Sequence, residues 1–121
     1  RKVVELKNEQ YLMAFASDQT PAAIDSRYFT QFLNQPTAVF LGLEKIARSS
    51  NHPVVFCFTD RIKRGYYQAV FKTLVENPKE TKEYEITDLH TFELEQIITK
   101  RPELWLWSHK RWKFKPEDVG R

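Results

Sequence analysis

The sequence predicts an α/β fold, a partial mixed sheet with a βαβ core flanked by helices. Three observations carry this expectation. Thr37–Ser49, entered through Pro36, reads as an apolar helix whose polar stripe is narrowed to Glu44, Lys45 and Arg48. Val54-Val55-Phe56-Cys57-Phe58 is a continuous apolar run, as in a strand buried on both faces. Tyr11–Ala16 is a second apolar run upstream. Two such strands around one helix predict a parallel unit with a right-handed crossover.

The remaining elements follow in order. Arg1–Lys7 reads as the tail of a helix ending near Asn8. After the Tyr11–Ala16 strand, Ser17-Asp18-Gln19-Thr20-Pro21 is a stop. Ligands of open parallel sheets bind at the carboxyl ends of strands, so Asp18 and Gln19 are candidate site residues. The alternative is that Asp18 and Thr20 are turn residues. Pro21–Gln35 is a long connection whose aromatics, Tyr28, Phe29 and Phe32, pack it on the core or line an apolar groove. Ser49, Ser50, Asn51 and Pro53 end the central helix. Asp60–Tyr66, with Gly65, reads as a hairpin turn and Tyr66–Leu74 as the returning strand. Tyr84-Glu85-Ile86 reads as one more short strand. Thr87 or Asp88 then caps a helix to about Lys100, with Phe92, Leu94, Ile97 and Ile98 on its apolar side. Pro102 opens a short helix, Glu103–Ser108.

The 121 residues are one domain's worth of chain and can hold one modest core. No run is apolar and long enough to cross a membrane, and no signal peptide leads the chain. The lone Cys57 makes no intrachain disulfide and reads as a buried, inert thiol. His52, His90 and His109 lack metal-ligand spacing, and the three glycines form no phosphate loop, so no metal and no cofactor is expected. His90 and Glu95 resemble a general-base pair, but five positions on a helix point them to divergent faces. The net charge of +3 is uneven. Lys100, Arg101, Lys110, Arg111, Lys113, Lys115 and Arg121 crowd the carboxyl end, while Glu76–Glu95 is acidic. An anionic partner is therefore sought at the carboxyl end. There Trp105, Trp107, His109, Lys110, Arg111 and Trp112 suit phosphate binding beside an apolar boundary, stacking on single-stranded nucleic acid, a membrane interface, or simple core anchoring with solvated bases.

Four segments then carry a family resemblance. Leu12–Ala16 followed by Asp18-Gln19, Phe32-Leu33-Asn34-Gln35-Pro36-Thr37-Ala38, and Gly42 with Lys45-Ile46-Ala47 occur in order. Val54-Val55-Phe56 follows as the next core strand. The most specific segment lies near the carboxyl end, Pro102-Glu103-Leu104-Trp105-Leu106-Trp107-Ser108-His109-Lys110-Arg111-Trp112-Lys113. Together they resemble the C-terminal part of the bacterial lipid A biosynthesis (lauroyl/myristoyl) acyltransferase family, a branch of the lysophospholipid acyltransferase superfamily. The resemblance implies transfer of a fatty acyl chain from an acyl-carrier protein thioester, or acyl-CoA, to a hydroxyl of a glycolipid, the lipid A precursor. It implies a parent enzyme at the cytoplasmic face of the bacterial inner membrane. It places Arg111, Lys110 and Lys113 at phosphates, His109 among the substrate-binding residues, Phe32 and Phe40 along the acyl groove, and Asp18 and Gln19 on the floor of the site.

Two departures accompany it. Phe32-Leu33-Asn34 stands where the family has Phe-Phe-Gly. The family's catalytic His-x4-Asp/Glu motif lies before the Asp-Gln pair, yet no histidine precedes Asp18. The expectation is an inactive C-terminal fragment of an acyltransferase-type domain, with no catalytic residue in this chain and sheet edges that self-associate. The alternative is a non-enzymatic module binding anionic lipid or nucleic acid through the basic aromatic carboxyl end. Under the acyltransferase reading no nucleic acid is expected as a partner.

Overall fold

The computed structural model describes residues 2–23 and 27–118. In order, its main elements are α1 (Lys2–Glu5), β1 (Phe29–Phe32), β2 (Gln35–Ala38), α2 (Gly42–Ser50), β3 (Val54–Lys63), β4 (Tyr66–Val75) and α3 (Glu85–Lys100). Short 3-10 turns cover Pro78–Glu80, Pro102–Leu104 and Pro116–Asp118. The α/β class holds, and a strand–helix–strand succession, β2–α2–β3, lies at its centre. The pairing differs from the expected parallel unit. Among the described residues β1 pairs with β2 and β3 with β4, both antiparallel, in separate two-stranded sheets.

Each correction has a physical cause. Tyr11–Ala16 forms no strand and has no ladder partner among the described residues. An apolar run reports avoidance of water, not backbone pairing. Pro36 and Thr37 belong to β2, and the helix starts five residues later, after Leu41. Leu33 and Asn34, at φ of 50° and 61°, make the tight reversal that pairs Phe32 with Gln35. Pro36 is tolerated because a two-stranded sheet has only edge strands. Asn51 ends α2 in the left-handed conformation, as its sequence position predicts. Residues Tyr84–Ile86 are not a strand: Tyr84 is the N-cap of α3, which begins at Glu85. The predicted Glu103–Ser108 helix shrinks to the Pro102–Leu104 turn. Cys57 is exposed rather than buried, on the more open of the two faces that alternate along β3.

Two buried clusters organise the molecule. Ala47, Val54, Val75 and Ile86 join α2, the base of the β3–β4 hairpin and α3, with Leu43, Leu74 and Leu89 packed around them. Phe32, Ala38 and Val39 are buried around the β1–β2 hairpin. Side chains of α3 tie that hairpin down. Glu95 accepts the Leu33 N–H at 2.8 Å. Asp88 accepts from the Tyr28 hydroxyl at 2.8 Å; burial, reinforced by this bond and the carboxylate's charge, pushes the phenol up to about 12.

Candidate functional site

The carboxyl-terminal segment folds back onto the turn after Tyr11–Ala16. The Thr20 N–H donates to His109 Nε2 at 2.9 Å. The Thr20 hydroxyl lies 2.8 Å from the carbonyl oxygens of both Lys110 and Arg111. Trp112 Nε1 donates to Thr37 Oγ1 at 2.9 Å, which joins the same segment to β2. Residues some ninety positions apart thus meet in one knot.

Arg111 lies inside this knot, 2% exposed. Its Nη1 donates to the Ala38 carbonyl at 2.8 Å, and its guanidinium stands 5.6 Å from the centre of the Phe32 ring. Burial pulls its pKa down to about 10, against the opposing charge of Asp18. Its Nε has no hydrogen-bond partner among the described residues. Phe32, fully buried, also takes the edge of Trp105 at 5.8 Å and lies 6.4 Å from Trp112.

The sequence-selected residues therefore divide. Asp18, Phe32, His109 and Arg111 are drawn together by the knot. Gln19, Lys110 and Lys113 are exposed around it. Phe40 is half-buried with its ring over Gly42; a Cβ there would sit 2.0 Å from Phe40 Cζ, so only glycine leaves room for the ring. Asn34 stands where the resembling segment has glycine and takes a left-handed φ that asparagine tolerates.

Beside the knot opens a cavity of about 890 Å3 with a mainly apolar wall. Tyr11–Phe15, Leu43, Ile46, Phe56, Phe58 and Leu74 contribute to it, together with Leu94, Ile97, Ile98 and Trp105. Ser17 and Asp18 supply polar groups where the wall approaches the knot. The apolar run that the sequence shows at Tyr11–Ala16 thus serves, through Tyr11–Phe15, as wall rather than strand. The apolar side of α3 was also visible in sequence, though not what it faces.

His90 is on this wall as well and is 4% exposed. Burial pushes its pKa down to about 4; Arg111 adds to the depression, while Glu44 and Asp88 oppose it. Its Nε2 has no hydrogen-bond partner among the described residues. Glu95 is engaged by the Leu33 N–H, and no hydrogen bond links it to His90. Among the described residues no group of His, Cys, Asp and Glu could hold a metal ion, and no helix is long and apolar enough to cross a membrane.

The model of a family described as bacterial lipid A biosynthesis acyltransferase matches residues 1–114. The match covers all four segments that carried the resemblance. No curated protein and no solved structure matches the chain.

Proposed function

The chain belongs to the bacterial lipid A biosynthesis acyltransferase family, and from that premise we propose that it holds substrate for transfer of a fatty acyl chain from an acyl-carrier thioester to a hydroxyl of a lipid A precursor. The observation that carries the reading is the apolar cavity, whose volume lies in the usual range for small-molecule sites. Its wall suits a hydrocarbon chain, and Asp18 stands where a thioester or sugar hydroxyl would emerge. Lys110 and Lys113, exposed beside the knot, would meet phosphates of the glycolipid or of the carrier's phosphopantetheine. Arg111 supports them from within by holding the end of β2. Phe32 backs the knot, Phe40 borders the groove, and His109 fixes the Asp18-Gln19-Thr20 turn.

Acyl transfer to a hydroxyl requires a base for its proton, and the family places a His-x4-acid motif before the Asp-Gln pair. No histidine precedes Asp18, and buried His90 is not offered as a substitute. We accordingly assign these residues the binding of substrate, at the cytoplasmic face of the inner membrane.

Trp105 on the cavity wall makes the reading measurable. Titration with dodecanoyl-coenzyme A in vesicle-free buffer should change tryptophan fluorescence saturably, and coenzyme A alone should not. Ile97→Trp narrows the cavity and should weaken binding roughly tenfold, about 1.4 kcal/mol. Equal responses to both ligands, or undiminished affinity in Ile97→Trp, would remove the acyl-groove assignment. Incubated with acyl-carrier thioester and lipid A precursor, these 121 residues should give no acylated product. Turnover would overturn the division between binding and proton abstraction.

A further inference from the structure

The tip of the β3–β4 hairpin combines cations with exposed apolar groups. Arg61 lies opposite Tyr67 and Lys63 opposite Tyr66 in the ladder, so cations and rings stand side by side across the strands. Lys63 Nζ is 4.3 Å from the Tyr66 ring centre. Ile62, Tyr66 and Tyr67 are 66%, 60% and 63% exposed. At Gly65, φ is 81° and an added Cβ would meet no atom within 4 Å, so the turn projects clear of the rest of the molecule.

The charge at this tip is largely uncompensated. Asp60 is paired with Arg101 at 2.9 Å. Arg61 reaches one carboxylate, that of Glu103, at 3.9 Å. Lys63 and Arg64 make no ion pair among the described residues.

We propose that this tip docks on an anionic lipid surface, with Tyr66, Tyr67 and Ile62 at the headgroup boundary and Lys63 and Arg64 among the phosphates. The inference rests on the lipid-acting reading above and adds the surface that would hold the chain to its substrate's membrane. Charge complementarity selects an anionic occupant. Ile62 selects lipid over nucleic acid, since an aliphatic side chain offers bases no stacking face but is at home at a hydrocarbon boundary. Tyrosines suit that boundary through an apolar ring and a wet hydroxyl.

The test is sedimentation with phosphatidylglycerol or phosphatidylcholine vesicles. The chain should pellet with the anionic vesicles, increasingly less as salt rises. Each basic residue near such a surface is worth about 1 kcal/mol, so the double variant K63Q/R64Q should partition roughly 30-fold more weakly. Lys45→Gln, exposed on α2, should change little. Tyr66→Trp should shift its emission to the blue with anionic vesicles only, while circular dichroism confirms that all variants fold. Equal partitioning to both vesicles, undiminished binding by K63Q/R64Q, or preference for a single-stranded oligonucleotide over vesicles would overturn the proposal. The cavity titration uses no vesicles, so failure of either reading is seen without the other.

Discussion

At His90 the surroundings override the ordinary chemistry of an imidazole. The ring is neutral inside the fold, with a pKa of about 4 against the ordinary 6.5. The sign of the pH effect follows from which state binds the proton. Above about 6.5 both states are neutral at this site, and its full contribution to stability is present. Between about 6.5 and 4 the unfolded chain binds a proton that the folded chain excludes, so stability falls as pH falls; below about 4 the contribution is lost. The depression amounts to about 3 kcal/mol. Urea midpoints of the wild type should therefore drop between pH 7 and 4.5, and those of His90→Gln should drop much less; parallel slopes would assign the titration to another group. In the sequence His90 is legible as a helix residue with a nearby acid, Glu95. That Glu95 serves the Leu33 N–H instead is decided by β1–β2, far away in the chain.

At the scale of elements, α3 is started by a residue of α2. The N-cap Tyr84 sits at φ 68° and makes no side-chain cap. Glu44 replaces it: its carboxylate accepts the Tyr84 N–H at 2.6 Å, the Thr87 N–H at 2.9 Å and the Thr87 hydroxyl at 2.7 Å. The carboxylate also complements the positive end of the helix. Glu44 is 4% exposed, so its removal leaves these donors without water to replace it. Glu44→Ala should cost about 3 kcal/mol by urea unfolding, whereas exposed Lys45→Ala should stay within about 0.5 kcal/mol. A loss for Glu44→Ala no larger than that of Lys45→Ala would mean that α3 is capped otherwise. The C-terminal ends of α2 and α3 were legible because Asn51 and Pro102 act locally. The sequence alone places the cap of α3 too late, at Thr87 or Asp88 rather than Tyr84, because Glu44 looks like part of a polar stripe.

Across the molecule, a small core is set beside a large apolar cavity. Leu12, Val55 and Phe71 remain 90%, 51% and 68% exposed, all on the cavity wall. Filling that cavity buries hydrocarbon in the folded state only, and ligand that binds only the folded state adds stability by mass action. Dodecanoyl-coenzyme A at a hundred times its dissociation constant should raise unfolding free energy by about 2.7 kcal/mol. An unchanged urea midpoint under saturating ligand would show that the ligand does not distinguish folded from unfolded chain.

What could be read from residue order alone is local or motif-borne. The α/β class, the β3–β4 hairpin, the apolar side of α3, the left-handed end of α2 and the family resemblance all depend on near neighbours or on segments in sequence. Tertiary structure alone decided that Tyr11–Ala16 is wall rather than strand, that Arg111 is enclosed against Ala38 and Phe32, that Glu44 caps another helix, and that Cys57 is exposed. The division has one physical cause. Side-chain pattern specifies which groups avoid water and which backbone turns are tolerated, but the partner that covers an apolar run or satisfies a buried charge arrives from a distant part of the chain.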